Sequence, residues 1–268
     1  MKPTDDVAPW IERLARIGYA AKGILYLTIG YLASRAALGR GGGRVTDARG
    51  ALQTVDTPGS GHAVLLVIAA GLIGYAVWRL VEAIVDPERR GTDFKAIAVR
   101  LGFAARGLFH AGLGITAFRV AFGTGSGSGS NQASQWTARA FEMPGGGLLV
   151  WLAAVWIAGY GLYQFYRAWS PKMRRHLRLG ELPEGIRSAV LGVSRFGIAA
   201  RGVVFCLIGY FLIRAALWHS SAEAGGVKES LRTVAHTGRW PFIVVALGLV
   251  AYGVYELVNA RYRSIRVA

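Results

Sequence analysis

One eight-residue pattern is written three times in this chain. It reads Arg16-Ile17-Gly18-Tyr19-Ala20-Ala21-Lys22-Gly23, then Arg100-Leu101-Gly102-Phe103-Ala104-Ala105-Arg106-Gly107, then Arg195-Phe196-Gly197-Ile198-Ala199-Ala200-Arg201-Gly202. Each copy opens a long apolar run. A pattern that returns at comparable spacing marks a repeated structural unit, and such a unit constrains the fold more than any local propensity does. The copies divide the chain into residues 1–90, 91–178 and 179–268, three repeats of one plan.

The apolar runs number six, near 17–38, 63–84, 102–122, 147–168, 197–218 and 240–258. Each is long enough to cross a bilayer core of about 30 Å. Only 17% of residues are charged, against about 25% in soluble domains, and the charges gather at the ends of the runs. Backbone polar groups in lipid need internal partners, so runs of this length must be helices. The expected fold is all-α and polytopic: six transmembrane helices forming three tandem helical hairpins in a pseudo-threefold arrangement. Two crossings per unit leave every unit in the same orientation, as parallel repeats about an axis along the membrane normal.

Within each unit a loop joins the two spans. Short helical pieces are expected near 46–55 and 136–141, and the run Gly125 to Ser130 is expected to be flexible, being all Gly and Ser. The segment Pro9 to Arg16 is amphipathic, with Trp10, Leu14 and Ile17 on roughly one face, and reads as an interfacial lead-in. The first run has the basic start of a signal peptide, but its copies lie in mid-chain, which argues against cleavage.

The net charge is +16. In a soluble chain that would suggest nucleic acid; beside apolar spans, anionic lipid headgroups are the expected counter-charge. Of the 31 Lys and Arg residues, 21 lie on the side that carries both termini and the linkers between units. The richer side should be cytoplasmic.

Four patterns are candidates for function. Gly23, Gly107 and Gly202 are each followed two turns later by Gly30, Gly114 and Gly209, a small-residue face for close helix packing or for a ligand groove. Arg16, Lys22, Arg100, Arg106, Arg195 and Arg201 are expected within the first turns of their helices. There they are orientation anchors, or a site for an anionic lipid or solute. On the even-numbered spans, Tyr75, Tyr160 and Tyr252 align, as do Trp78, Tyr163 and Tyr255. Then come Arg79, Gln164 and Glu256, and next Glu82, Arg167 and Asn259. Each of the last two layers holds one base, one acid and one neutral residue. They are independent interfacial residues, or a charge network between repeats. His110 is the one histidine well inside a span, so no histidine pair for a metal or haem is expected. Cys206 is the single cysteine, which excludes a disulfide within the chain. Asp47 and Asp56 share a loop, but nothing makes them an acid/base pair. No nucleotide fingerprint, phosphate loop, nucleophile elbow or zinc spacing is present.

The triplicated helix, followed by Gly74-Tyr75, Gly159-Tyr160 and Ala251-Tyr252, resembles the bacterial domain of unknown function 1206 family over about 10–263. That resemblance implies a six-helix protein of the bacterial cytoplasmic (inner) membrane built from three two-helix modules. It implies no activity, substrate or catalytic residue. The expectation for function is a non-enzymatic protein that binds lipid or a small anion, or serves as an accessory or scaffold for other membrane proteins. The alternative is a small channel or transporter along the pseudo-threefold axis, which the few mid-membrane polar residues (Thr28, His110, Thr116, Cys206) disfavour. No cofactor, metal or nucleic acid is expected. The expected partners are anionic membrane lipids, with a protein partner or homo-oligomer left open.

Overall fold

A computed structural model of the chain describes residues 9–39, 41–56, 61–85, 91–124, 131–170 and 183–263. Among these residues the elements are helices: α1 (Pro9–Ala37), α2 (Ala48–Val55), α3 (Gly61–Ile84), α4 (Phe94–Ala121), α5 (Gln132–Phe141), α6 (Gly146–Trp169), α7 (Glu184–Leu217), a 3-10 turn (Ser221–Glu223), α8 (Val227–Thr237) and α9 (Arg239–Tyr262). The glycine-serine run Gly125 to Ser130 and most of the basic linker, 172–182, lie outside the described residues, as do the side chains of Trp10 and Leu14.

Local chemistry sets the helix ends. Gly39 leaves α1 in the left-handed region at φ +67, which only glycine enters cheaply. Asp47 caps α2 by accepting the Gly50 amide at 3.0 Å, and Asn131 caps α5 through the Ser134 amide. Asp47 therefore terminates a helix. The odd-numbered repeat helices are longer than their apolar runs: α1, α4 and α7 begin at Pro9, Phe94 and Glu184, well before the repeated motif.

Four helices are long and apolar enough to cross a membrane: α3, α6, α7 and α9. This is the mark of a multi-pass membrane protein. The expected six is not matched on that count. α1 and α4 have the length, but Lys22 with three tyrosines in α1, and Arg100, Arg106, His110 and Arg119 in α4, dilute their apolar runs.

The closest packing joins neighbouring repeats. α1 lies along α9, α4 along α3 and α7 along α6, so each unit's first long helix meets the second long helix of another unit. The paired glycines form these seams. A methyl group at Gly23 would approach Gly253 O at 3.1 Å, at Gly107 it would meet Ala76 O at 3.1 Å, and at Gly202 it would meet Gly161 O at 3.2 Å. Two turns on, Gly30 faces Val250, Gly114 faces Ile73 and Gly209 faces Ala158. The partners are aligned positions of the three repeats, so one contact is used three times. Close approach of this kind gains dispersion where lipid removes any hydrophobic drive between helices.

Within units, packing is uneven. A methyl group at Gly18 would come within 2.9 Å of Gly71 O in the first, and one at Gly248 would run into Ala200 in the third. In the second unit α4 and α6 hardly touch, so the expected hairpin is splayed there. The reason is visible in the alignment. Gly71 and Gly248 lie four residues before Tyr75 and Tyr252, whereas Trp156 holds that place before Tyr160. Its indole reaches 3.4 Å from where a Gly102 Cβ would sit, and a ring of that size holds the two backbones apart. The lateral order of long helices is therefore α4–α3–α1–α9–α7–α6, with an open seam between α4 and α6.

Candidate functional site

A ring of aromatic and basic side chains occupies the part of the bundle nearer the termini. Tyr160 lies roughly 13 Å from the C-terminal end of α6 at a rise of 1.5 Å per residue. Each recurring tyrosine stands edge-on to an aromatic residue of the helix packed beside it. Tyr75 meets His110 at 4.7 Å between ring centroids, Tyr160 meets Phe205 at 5.1 Å and Tyr252 meets Tyr26 at 4.6 Å. Tyr26, His110 and Phe205 are aligned, each four residues past the motif base. His110 is thus the second repeat's copy of an aromatic position. Its Nδ1 lies 2.7 Å from Arg106 O, a contact within its own helix, and among the described residues no group of three His, Cys, Asp or Glu could hold a metal.

The bases complete the ring. Lys22 Nζ lies 4.6 Å from the centroid of Tyr75, the Arg106 guanidinium carbon 4.9 Å from that of Tyr160, and the Arg201 carbon 4.8 Å from that of Tyr252. Each base thus sits over the tyrosine of its own repeat. A cation held over a ring in a desolvated site gains about 2 kcal/mol.

The polar partners break this symmetry. Lys22 Nζ donates to Glu256 Oε1 at 2.8 Å and to Tyr75 OH at 3.4 Å. The Tyr252 hydroxyl donates to the same carboxylate oxygen. Arg79 donates to Tyr75 OH at 2.8 Å, to Glu82 Oε2 at 2.6 Å and to Tyr19 OH at 3.2 Å. Arg201 donates to the hydroxyls of Tyr26 and Tyr160, both at 3.0 Å. Arg167 donates to Tyr255 OH, and Asn259 Nδ2 to Tyr255 O at 3.0 Å. Arg106 has no hydrogen bond or ion pair among the described residues, and Arg201 has no carboxylate. Gln164 is 0% exposed, yet neither its amide nitrogen nor its amide oxygen has a partner.

Several of the expected site residues lie elsewhere in the bundle. Lys22 and Arg201 are 5% and 8% exposed and lie far more than two turns into helices that begin at Pro9 and Glu184. They point into the bundle, because the apolar run and the helix do not start together. Arg16 and Arg100 sit nearer the helix starts and cap neighbouring helices. Arg16 Nη1 donates to Ala260 O and Arg261 O, both at 2.7 Å. Arg100 donates to Ala83 O at 2.8 Å and Ile84 O at 3.0 Å. These carbonyls are aligned, and an arginine at a helix C-terminus satisfies orphan acceptors and opposes the negative end of the dipole. Arg195, the third copy, leaves its Nε without a partner. Arg79 and Glu256 are joined only through Lys22 and Tyr75; each meets a nearer partner than the other. Cys206 is half-buried and packs against Gly161.

The sequence reading missed Tyr19, Tyr26 and Phe205, the isolation of Gln164, and the effect of Trp156. Two of these signals were present: the aromatic position four after each base, and the Gly71/Trp156/Gly248 alignment.

Comparisons with known proteins agree with the repeat plan. An uncharacterized protein of Bacillus subtilis (strain 168), YxxB, is 30% identical over 264 residues, covering 98% of this chain and 94% of its own. No solved structure matches. The family described as Domain of Unknown Function (DUF1206) matches three times, over 17–86, 101–170 and 196–263, and each match spans one pair of long helices with its recurring glycines, base and tyrosine. The chain belongs to the DUF1206 family and carries three tandem copies of its domain.

Proposed function

We propose that this protein crosses the cytoplasmic membrane six times, with both termini inside, and holds an anionic group in its core as a binding or accessory protein with no enzymatic role. One observation carries the reading. Lys22, Arg106 and Arg201 converge on three tyrosines inside the bundle, and among the described residues the one carboxylate paired with any of them is Glu256, with Lys22. A base at membrane depth is costly unless compensated. Arg106 and Arg201 have rings and hydroxyls but no carboxylate among the described residues, which favours an anion as the missing partner. The six crossings are supported by the place of α1 between α3 and α9 and of α4 along α3. A transport path along the axis has less support: Leu25, Leu72, Leu113, Val204 and Leu249, from all three repeats, pack into one core.

The test is to purify the protein in mild detergent, identify retained lipids by mass spectrometry, and titrate inorganic phosphate against thermal stability. Retention of anionic lipid above its share of the membrane, or stabilisation by phosphate, is expected, with loss of both when Lys22, Arg106 and Arg201 are changed to Gln. A wild-type protein that takes up neither would overturn the reading.

A further inference from the structure

The second repeat departs from the other two in one direction. Tyr163 is 52% exposed, whereas its aligned residues Trp78 and Tyr255 are 6% and 3% exposed. Ala105 is exposed where Ala21 and Ala200 are buried. Trp156 is exposed where Gly71 and Gly248 are buried. All three changes border the α4–α6 seam. Arg106 stands in that seam, half-buried, with its guanidinium over the Tyr160 ring. Arg201 reaches the hydroxyl of the same tyrosine from α7. Gln164 lies one turn further along α6, against Gly202 of α7, with both amide atoms unused.

The charges around the ring explain why the deficit falls here. Lys22 meets Glu256 across the α1–α9 seam; aligning the other two seams on that pair sets Arg106 at the level of Arg79 and Arg201 at the level of Gln164. The first is an ion pair. In the second, Arg79 turns to Glu82 and Tyr75. In the third, Gln164 brings no charge. The two bases left without a carboxylate among the described residues, Arg106 and Arg201, are the two that flank Tyr160.

We propose that Arg106, Tyr160, Arg201 and Gln164 form a site for a phosphate-type oxyanion that enters sideways through the open α4–α6 seam. This rests on the reading that the core holds an anion. Guanidinium groups match phosphate oxygens bidentately. The Tyr160 hydroxyl accepts from Arg201 and holds that guanidinium at the seam. The Gln164 amide nitrogen is a further donor, and a buried amide with no partner is costly unless a ligand supplies one. The phosphate comes from a lipid headgroup or from a free anion, and the two sources separate by experiment.

The full-length protein is placed in nanodiscs of zwitterionic lipid doped with phosphatidic acid, and bound lipid is counted by native mass spectrometry. In parallel, inorganic phosphate is titrated in detergent without anionic lipid. Arg106→Gln is expected to lower retention of the bound species at least about tenfold, the loss of a charge-assisted contact. Trp156→Gly restores the glycine of the other repeats and should let α4 close on α6, so it guards against a variant that merely misfolds. It is expected to lower phosphatidic acid uptake while leaving a monodisperse protein. Phosphatidic acid bound without any effect of phosphate assigns the site to lipid; protection by phosphate alone assigns it to a free anion; both uphold the site. A wild type that binds an anion with Arg106→Gln unchanged would overturn this site and leave the broader reading standing. A wild type that binds neither would end both. Unchanged lipid uptake in Trp156→Gly, with loss in Arg106→Gln, would refute the sideways route.

Discussion

Glu256→Gln should destabilise the protein more than Lys22→Gln does, although the two side chains share one contact. Their charged atoms are 2.8 Å apart, and the side chains are 2% and 6% exposed. Removing the carboxylate leaves Lys22 with Tyr75 OH at 3.4 Å as its polar partner and adds another unanswered cation to a ring that already holds Arg106 and Arg201. An uncompensated buried charge costs about 3–5 kcal/mol. Removing the ammonium instead leaves Glu256 with the Tyr252 hydroxyl and with cations nearby. The cost then falls to that of a lost charge-assisted hydrogen bond, about 1.5–3 kcal/mol. The double variant has no buried charge to strand, so the coupling energy should reach about 1–3 kcal/mol. Thermal unfolding in detergent, followed by loss of the monodisperse peak, reads all four proteins; Glu256→Gln should lower the midpoint by roughly 10 °C. Additive losses, or a Lys22→Gln variant as unstable as Glu256→Gln, would refute both the pairing and the cation surplus.

Gly107→Leu should sharply reduce the yield of monodisperse protein, because its side chain would press on Leu80 and on Ala76 O at 3.1 Å; Leu108→Ala, at an exposed position, should not, and equal yields would remove the seam. His110→Phe copies Phe205 and should shift stability by less than about 1.5 kcal/mol, as volume-conserving core changes do; a collapse in the thermal scan would give His110 a role beyond the aromatic layer. Reporter fusions within Gly125 to Ser130 should read outside and fusions at the C-terminus inside; a tail found outside would reverse the orientation or change the span count.

The repeat and its helices were legible because the motif is written three times and the apolar runs have a membrane's length. The glycine faces were legible too, since spacing alone puts Gly23 and Gly30, or Gly202 and Gly209, on one side of a helix. The partners were not. Aligning repeats showed Arg79, Gln164 and Glu256 as one balanced layer. The fold, however, sets each of them at the level of a motif base on a different repeat, so Glu256 is met by Lys22. Nothing in the alignment distinguishes those arrangements, because both place opposite charges at the same depth. The bases read as near the helix starts because the apolar runs begin at the motif. The turns of mixed polarity before it, such as Glu184 to Ser194, are also helical. Trp156 needed a comparison across the units: one large residue at a position otherwise held by glycine splays a helix pair, and no local pattern says so.

A density map of the wild-type protein in nanodiscs that contain anionic lipid tests the central claim most directly. The account predicts α4 and α6 held apart at Trp156, with a density on Arg106 and Arg201 beside Tyr160. A map in which α4 and α6 pack together as α1 and α3 do, with Arg106 paired to a protein carboxylate and no density at Tyr160, would contradict it.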